Sequence, residues 1–223
     1  MRIISVKKLK DFWNSGHADS EQSLKVWYQI LKQENFEAPN EIKRLFPSAS
    51  FVGNNRVIFN ICGNKYRIVT HIRYDINIVY IRFIGTHAEY DKINVTEVRI
   101  MEIHTIKTER EYEVALQKID NLLDAKENSK QAEQLEILSI LIEDYENKHY
   151  KIEMPDPIEA INFRLEQLGL SRRDLENYIG PRGRVSEVLN RKRSLTLPMI
   201  RKLHKNLNIP ANVLIHETRK QIA

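Results

Sequence analysis

A chain of 223 residues that is 42% hydrophobic, with nine Tyr and two Trp, is long enough for two ordinary cores and too apolar to be disordered. No apolar run approaches the roughly 20 residues that span a bilayer, the opening Met1-Arg2-Ile3-Ile4-Ser5-Val6-Lys7 lacks a signal peptide's apolar stretch, and the lone Cys62 allows no internal disulfide or multi-thiolate zinc site, so a cytoplasmic protein without a membrane span is expected. The net charge of +5 is distributed as +5 over residues 1–100, −6 over 101–155 and +6 over 156–223, which predicts two polyanion-binding surfaces and a middle segment able to neutralise one of them.

Val6, Leu9, Phe12 and Trp13, then Leu24, Trp27, Tyr28 and Leu31, recur at helical spacing, so two helices should open the chain. After Pro39 and Pro47 the texture turns β-branched and aromatic, predicting strands over residues 51–52, 56–61, 66–74 and 78–84. Cys62-Gly63-Asn64 and Asp75-Ile76-Asn77 are turn chemistry that joins the last three as hairpins. The first domain, residues 1–98, is therefore expected to be α+β, two helices on an antiparallel sheet of about four strands.

From Thr108 onward the spacing is helical. Thr108 and Glu111 form a capping box ahead of Tyr112, Leu116, Ile119 and Leu123. A second helix over residues 129–147 buries Leu135, Leu138, Ile142 and Tyr145, completing an acidic αα-hairpin within residues 101–153. Met154-Pro155-Asp156-Pro157 reads as a linker, because two prolines in three residues cannot continue a helix. Residues 156–216 then form a five-helix unit.

Within that unit, residues 171–180 read as a short helix stopped at Gly180, and residues 182–190 as a second, with Val185, Val188 and Leu189 inward and Arg182, Arg184, Glu187 and Asn190 outward. One helix props the other so that its outer side chains can reach base edges in a major groove. Arg191, Lys192 and Arg193 are placed to grip phosphates, and Arg172 and Ser186 complete the expected DNA contacts. Leu175, Gly180, Val185-Ser186, Leu189-Asn190-Arg191-Lys192-Arg193-Ser194-Leu195-Thr196, Met199-Ile200 and Ile209-Pro210 resemble the Cro/C1-type helix-turn-helix family, especially the version in HigA antitoxins. Glu176 departs from the small alanine common there, which puts the inter-helix angle in question. The resemblance implies a homodimer that represses its own operon at a palindromic operator.

Upstream, Phe59-Asn60-Ile61-Cys62-Gly63-Asn64-Lys65-Tyr66-Arg67-Ile68 and Tyr80-Ile81-Arg82-Phe83-Ile84-Gly85-Thr86-His87-Ala88-Glu89-Tyr90-Asp91-Lys92-Ile93 are similar to HigB toxins, relatives of the RelE toxins. The resemblance implies an mRNA interferase that cuts mRNA on the translating ribosome without metal or cofactor. Met101-Glu102-Ile103-His104-Thr105-Ile106-Lys107-Thr108-Glu109 looks like the natural start of a HigA chain, which places the seam of a toxin–antitoxin fusion near Met101, with contact between the halves inside or between chains.

The residues support such chemistry in their own right. RNA can be cut by its own 2′-hydroxyl, so a base near that hydroxyl, an acid near the leaving 5′-oxygen and cations around the phosphate suffice. Strand alternation puts Lys65, Arg67 and Arg73 on one face, Arg82 sits on the neighbouring strand, and His87, Tyr90 and Asp91 follow that strand's end. Arg67 and Arg82 are expected to stabilise the pentavalent phosphate, His87 to act as acid or base, and Lys65 and Tyr90 to assist proton transfer or base stacking, with Arg56, Arg73 and Asn64 as RNA contacts. The remaining histidines are scattered singly, so no metal site is assigned. A helix-turn-helix regulator whose N-terminal domain is a non-catalytic sensing or dimerising module is the alternative. No cofactor loop favours a metabolic enzyme.

Overall fold

The computed structural model describes residues 1–86, 89 and 105–216. The chain opens on a strand, β1 (Arg2–Ile4), followed by α1 (Lys7–Asn14), a 3-10 turn (Ala18–Ser20), α2 (Glu21–Gln33) and α3 (Pro39–Leu45). Strands β2 (Ser50–Val52), β3 (Arg56–Ile61), β4 (Tyr66–Arg73) and β5 (Ile78–Thr86) come next. Then follow α4 (Glu109–Leu122), α5 (Lys130–His149), α6 (Pro157–Leu168), a 3-10 turn (Asp174–Asn177), α7 (Arg182–Leu189), α8 (Leu197–Leu207) and α9 (Ala211–Ile215). Among the described residues, no helix is long and apolar enough to cross a membrane.

The sheet has five strands, one more than its hairpins imply, in the order β1-β5-β4-β3-β2. Strands β2 to β5 form the expected antiparallel meander, and β1 adds to β5 in parallel, with Ile3 opposite Val79. Three residues are too few to show alternation, which is why β1 reads as the approach to α1. The short α3 was likewise hidden, although Pro39 occupies its first turn, where a missing N–H costs nothing.

Alternation divides the sheet. Val57, Phe59, Ile68, Ile72, Val79 and Ile81 face α1 to α3, where Phe59 meets Trp27 edge to face at 5.4 Å. α2 is buried along the whole of Leu24 to Leu31, charged Lys25 included, because it has a second neighbour. On its far side lie α6 and the C-terminal helices, so Trp27, Ile161, Val188 and Leu207 belong to one continuous core. Arg164, 1% exposed, joins these layers by donating to the carbonyls of Leu45 and Leu207, both at 2.7 Å. The segment expected to be a linker is consequently a packed joint: Pro155, Asp156 and Pro157 are buried, and Asp156 caps α6.

The opposite sheet face receives the helical hairpin. α4 begins with the Thr108–Glu111 capping box, and α5 packs antiparallel to it. Tyr112, Ile119, Leu123, Leu135, Leu138 and Ile142 form a second core with Ile4, Ile78 and Tyr80. The molecule is therefore layered as hairpin, sheet, helices, C-terminal helices, with the two cores separated by the sheet.

Candidate functional site

The hairpin-side sheet face carries Arg56, Arg67, His71, Arg73 and Tyr80, interleaved with residues of the main core. Arg82 joins them through a β-bulge. The register slips by one residue between Val69↔Phe83 and Thr70↔Ile81, leaving Arg82 as the extra residue on β5. Strict alternation would place Ile84 with Arg82, but after the bulge Ile84 packs against the main core instead. Lys8 of α1 holds this backbone, donating to the carbonyls of Ile81 at 3.0 Å and Arg82 at 2.9 Å. Burial pushes its ammonium pKa down to about 8.

The arginines on this face are engaged unequally. The Arg82 guanidinium forms an ion pair with Asp120 of α4 at 3.1 Å, with both side chains partly buried. Arg73 pairs with Asp75 at 2.6 Å and donates to the Leu123 carbonyl at 3.1 Å, so this expected RNA contact lies beneath the hairpin. The Nε atoms of Arg56 and Arg67 are buried without a hydrogen-bond partner, as is His71 Nδ1. Such unmet groups carry a desolvation cost of about 1–3 kcal/mol each.

Other expected site residues lie elsewhere. Lys65 does not join this face: its Nζ bonds Asp19 at 2.6 Å and sits over the Tyr66 ring, and Tyr66 also donates to Asp19. The hydrogen bond to Asp19 raises the Lys65 pKa above the ordinary lysine value. A turn residue is not bound by strand alternation, which explains the departure. Asn64 is exposed at the hairpin tip in the left-handed region, φ 68°. His87, Tyr90, Asp91 and the seam at Met101 lie outside the described residues. Glu89, between them, accepts from the Thr86 amide and hydroxyl at 2.9 Å.

The charge pattern predicted that the acidic block could neutralise one of the two basic surfaces but named none of its individual contacts. Besides Asp120, Arg2 pairs with Glu143 at 2.9 Å and Lys7 with Glu109 at 2.6 Å. Glu109 also accepts from Tyr145 and Tyr150. Glu146 is nearly enclosed, accepting from the Val6 amide at 2.8 Å and from the Tyr112 hydroxyl. Burial raises its carboxyl pKa to about 8. The signal that could have pointed to Asp120 is its spacing of four from Asp124 beside buried Ile119 and Leu123, an acidic edge on an apolar stripe.

In the C-terminal unit, α7 exposes Arg182, Arg184 and Ser186 and buries Val185, Val188 and Leu189. Arg172, Asn190 and Lys192 are also exposed. Asn190 donates to the Ser186 hydroxyl at 3.2 Å, and Glu187 is paired with Arg193 at 2.6 Å. Arg191 is not offered to solvent as expected. In the left-handed region at φ 56°, it turns back onto Asp156 at 3.1 Å and Glu159 at 2.9 Å. Among the described residues, no group of three or more His, Cys, Asp or Glu could hold a metal ion.

Residues 20–93, which include the meander with helices on one face and clustered arginines on the other, match the HigB toxin family, described as the RelE-like toxic component of a toxin–antitoxin system. Among known relatives, the mRNA interferase toxin HigB of Escherichia coli K12 is 29% identical over 93 residues, 41% of this chain and 88% of the relative. The mRNA interferase HigB of Escherichia coli O6:H1 is 29% identical over 68 residues, 30% of this chain and 66% of the relative. The matched residues include β2 to β5 and end before the hairpin begins.

Proposed function

We propose that the chain unites a toxin, its inhibitor and a repressor. Residues 1–98 are a metal-independent endoribonuclease that cuts mRNA on the ribosome, residues 101–153 inhibit it, and residues 156–216 bind a palindromic operator as a homodimer. The observation that carries this reading is the Asp120 carboxylate on Arg82: a group suited to a scissile phosphate is held by an acid from the segment beyond the HigB-like match. Arg67, whose Nε is unpartnered, lies one level along the same face and shares the phosphate. Inhibition works by occlusion, since the hairpin shields Arg73 and Tyr80 along with Arg82.

Expression of residues 1–100 alone is expected to arrest growth, and co-expression of residues 101–223 to relieve the arrest. Arg67→Ala in the first piece should lower mRNA cleavage by about 10²- to 10³-fold, the usual cost of one donor to a developing anion. Harmless expression of the first piece would favour the second reading, a regulator with a non-catalytic N-terminal module. One observation speaks for that second reading: the core shared by α2 and the C-terminal helices makes the N-terminal domain a structural platform for α7.

Arg191 and Lys192 separate support from DNA contact. Arg191→Ala would take the guanidinium from the Asp156 carboxylate, 2% exposed, leaving it the amides of Ile158 and Glu159, and lower stability by about 1–3 kcal/mol in thermal unfolding. Lys192→Ala should leave unfolding unchanged while weakening operator binding and flattening its salt dependence by about one counterion.

A further inference from the structure

The arginine-bearing face holds a titratable side chain that the site described so far does not use. His71 is 2% exposed, stands between Arg56 and Tyr80 in register, and has Nδ1 buried without a partner. Arg56, Arg73 and Arg82 act on it from the sheet, and Asp124, just past the end of α4, opposes them. Burial first and the arginines second lower its pKa to about 4, so the imidazole is neutral near pH 7.

An imidazole kept only for packing gains nothing from three cationic neighbours and a stranded ring nitrogen. The same arrangement suits a base beside a phosphate-binding pair. We propose that His71 is the catalytic base of the N-terminal ribonuclease, an assignment that rests on the ribonuclease reading above. With the hairpin displaced, the ring becomes reachable and the Asp124 carboxylate leaves, while Arg56, Arg73 and Arg82, all on the sheet, stay beside it. A neutral imidazole then takes the proton of the ribose 2′-hydroxyl as its oxygen attacks the adjacent phosphorus. The bond from phosphorus to the 5′-oxygen breaks, that oxygen takes a proton from water, and the products are a 2′,3′-cyclic phosphate and a 5′-hydroxyl. Arg67 and Arg82 carry the charge of the pentavalent intermediate. Periodicity alone could not single out His71, because the arginines that define its role come from three different strands.

The test uses the full chain carrying Ile119→Asp and Asp120→Arg, which breaks both the apolar seam and the ion pair over this face. Single-turnover cleavage is measured on ribosomes programmed with a short mRNA, as a function of pH. Adding His71→Gln is expected to lower the rate by about 10²-fold or more and to abolish the acid limb of the profile, without loss of binding to an mRNA bearing a 2′-deoxynucleotide at the cut. His71→Ala should recover cleavage with added imidazole, a rescue no packing role provides. Cleavage by His71→Gln at the parent's rate and with the parent's pH profile would overturn the assignment and leave the ribonuclease reading standing. No 5′-hydroxyl product from the opened parent would overturn both.

Discussion

Full-length protein carrying Ile119→Asp and Asp120→Arg is expected to arrest growth where the parent chain does not. Ile119 is buried in the core between hairpin and sheet, and Asp120 neutralises Arg82 beside it. Aspartate at 119 places an unpaired charge in that core, and arginine at 120 faces Arg82 with a like charge. Losing one partner of a desolvated pair costs about 2–5 kcal/mol, so the ratio of docked to open hairpin should fall by about thirtyfold or more. Arg82→Ala added to the same chain should restore growth, because it removes the group that docking masks. Arrest that persists with Arg82→Ala would mean that the hairpin blocks something other than this face. No arrest, with the hairpin shown to be displaced by hydrogen exchange at Tyr80 and Ile81, would refute inhibition by occlusion.

The second large effect is a dependence on pH set by Glu146. Its carboxyl is faced by the Tyr112 hydroxyl, the backbone amides of Ser5 and Val6, and Glu143, and the Lys8 ammonium also acts on it, but burial outweighs these contacts. The folded pKa is raised to about 8 from an ordinary 4.5, so between these values the native state holds a proton that the unfolded state releases. Stability must therefore fall as pH rises from about 4.5 to about 8, by up to about 1.4 kcal/mol per pH unit, and level off above. Because Val6 lies at the start of α1 and Tyr112 on α4, the loss falls on the contact between hairpin and toxin-like domain. Glu146→Gln keeps an oxygen for both donors and removes the charge. It should flatten the dependence and make the variant the more stable protein at alkaline pH, as read by chemical denaturation. An unchanged slope would show that other groups carry it.

Much of this architecture is written in local patterns. Thr108 and Glu111 announce α4, Gly180 and Pro181 the break before α7, and the turns after Ile61 and Tyr74 the meander. What could not be read depends on partners distant in sequence. β1 exists because β5 offers an open edge to Ile3, and no property of three residues foretells that. The bulge that reorients Arg82 is a mismatch between two strands, invisible in either. Lys65 and Arg191 are basic residues in basic stretches, but Asp19 and Asp156 hold them, and only folding brings those acids near. Residue type marked the cations; tertiary pairing decided which of them acids hold.

The double burial of α2 sets an order of dismantling. A processive protease pulling from the C-terminal helices would strip Ile158, Ile161 and Arg164 from α2 and α3 before its pull reached α4. The toxin-like domain would lose packing on one side of α2 while Asp120 still covered Arg82. Dismantling from that side thins the scaffold before it uncovers the arginines, whereas an event confined to the hairpin unmasks them with every layer beneath α2 in place.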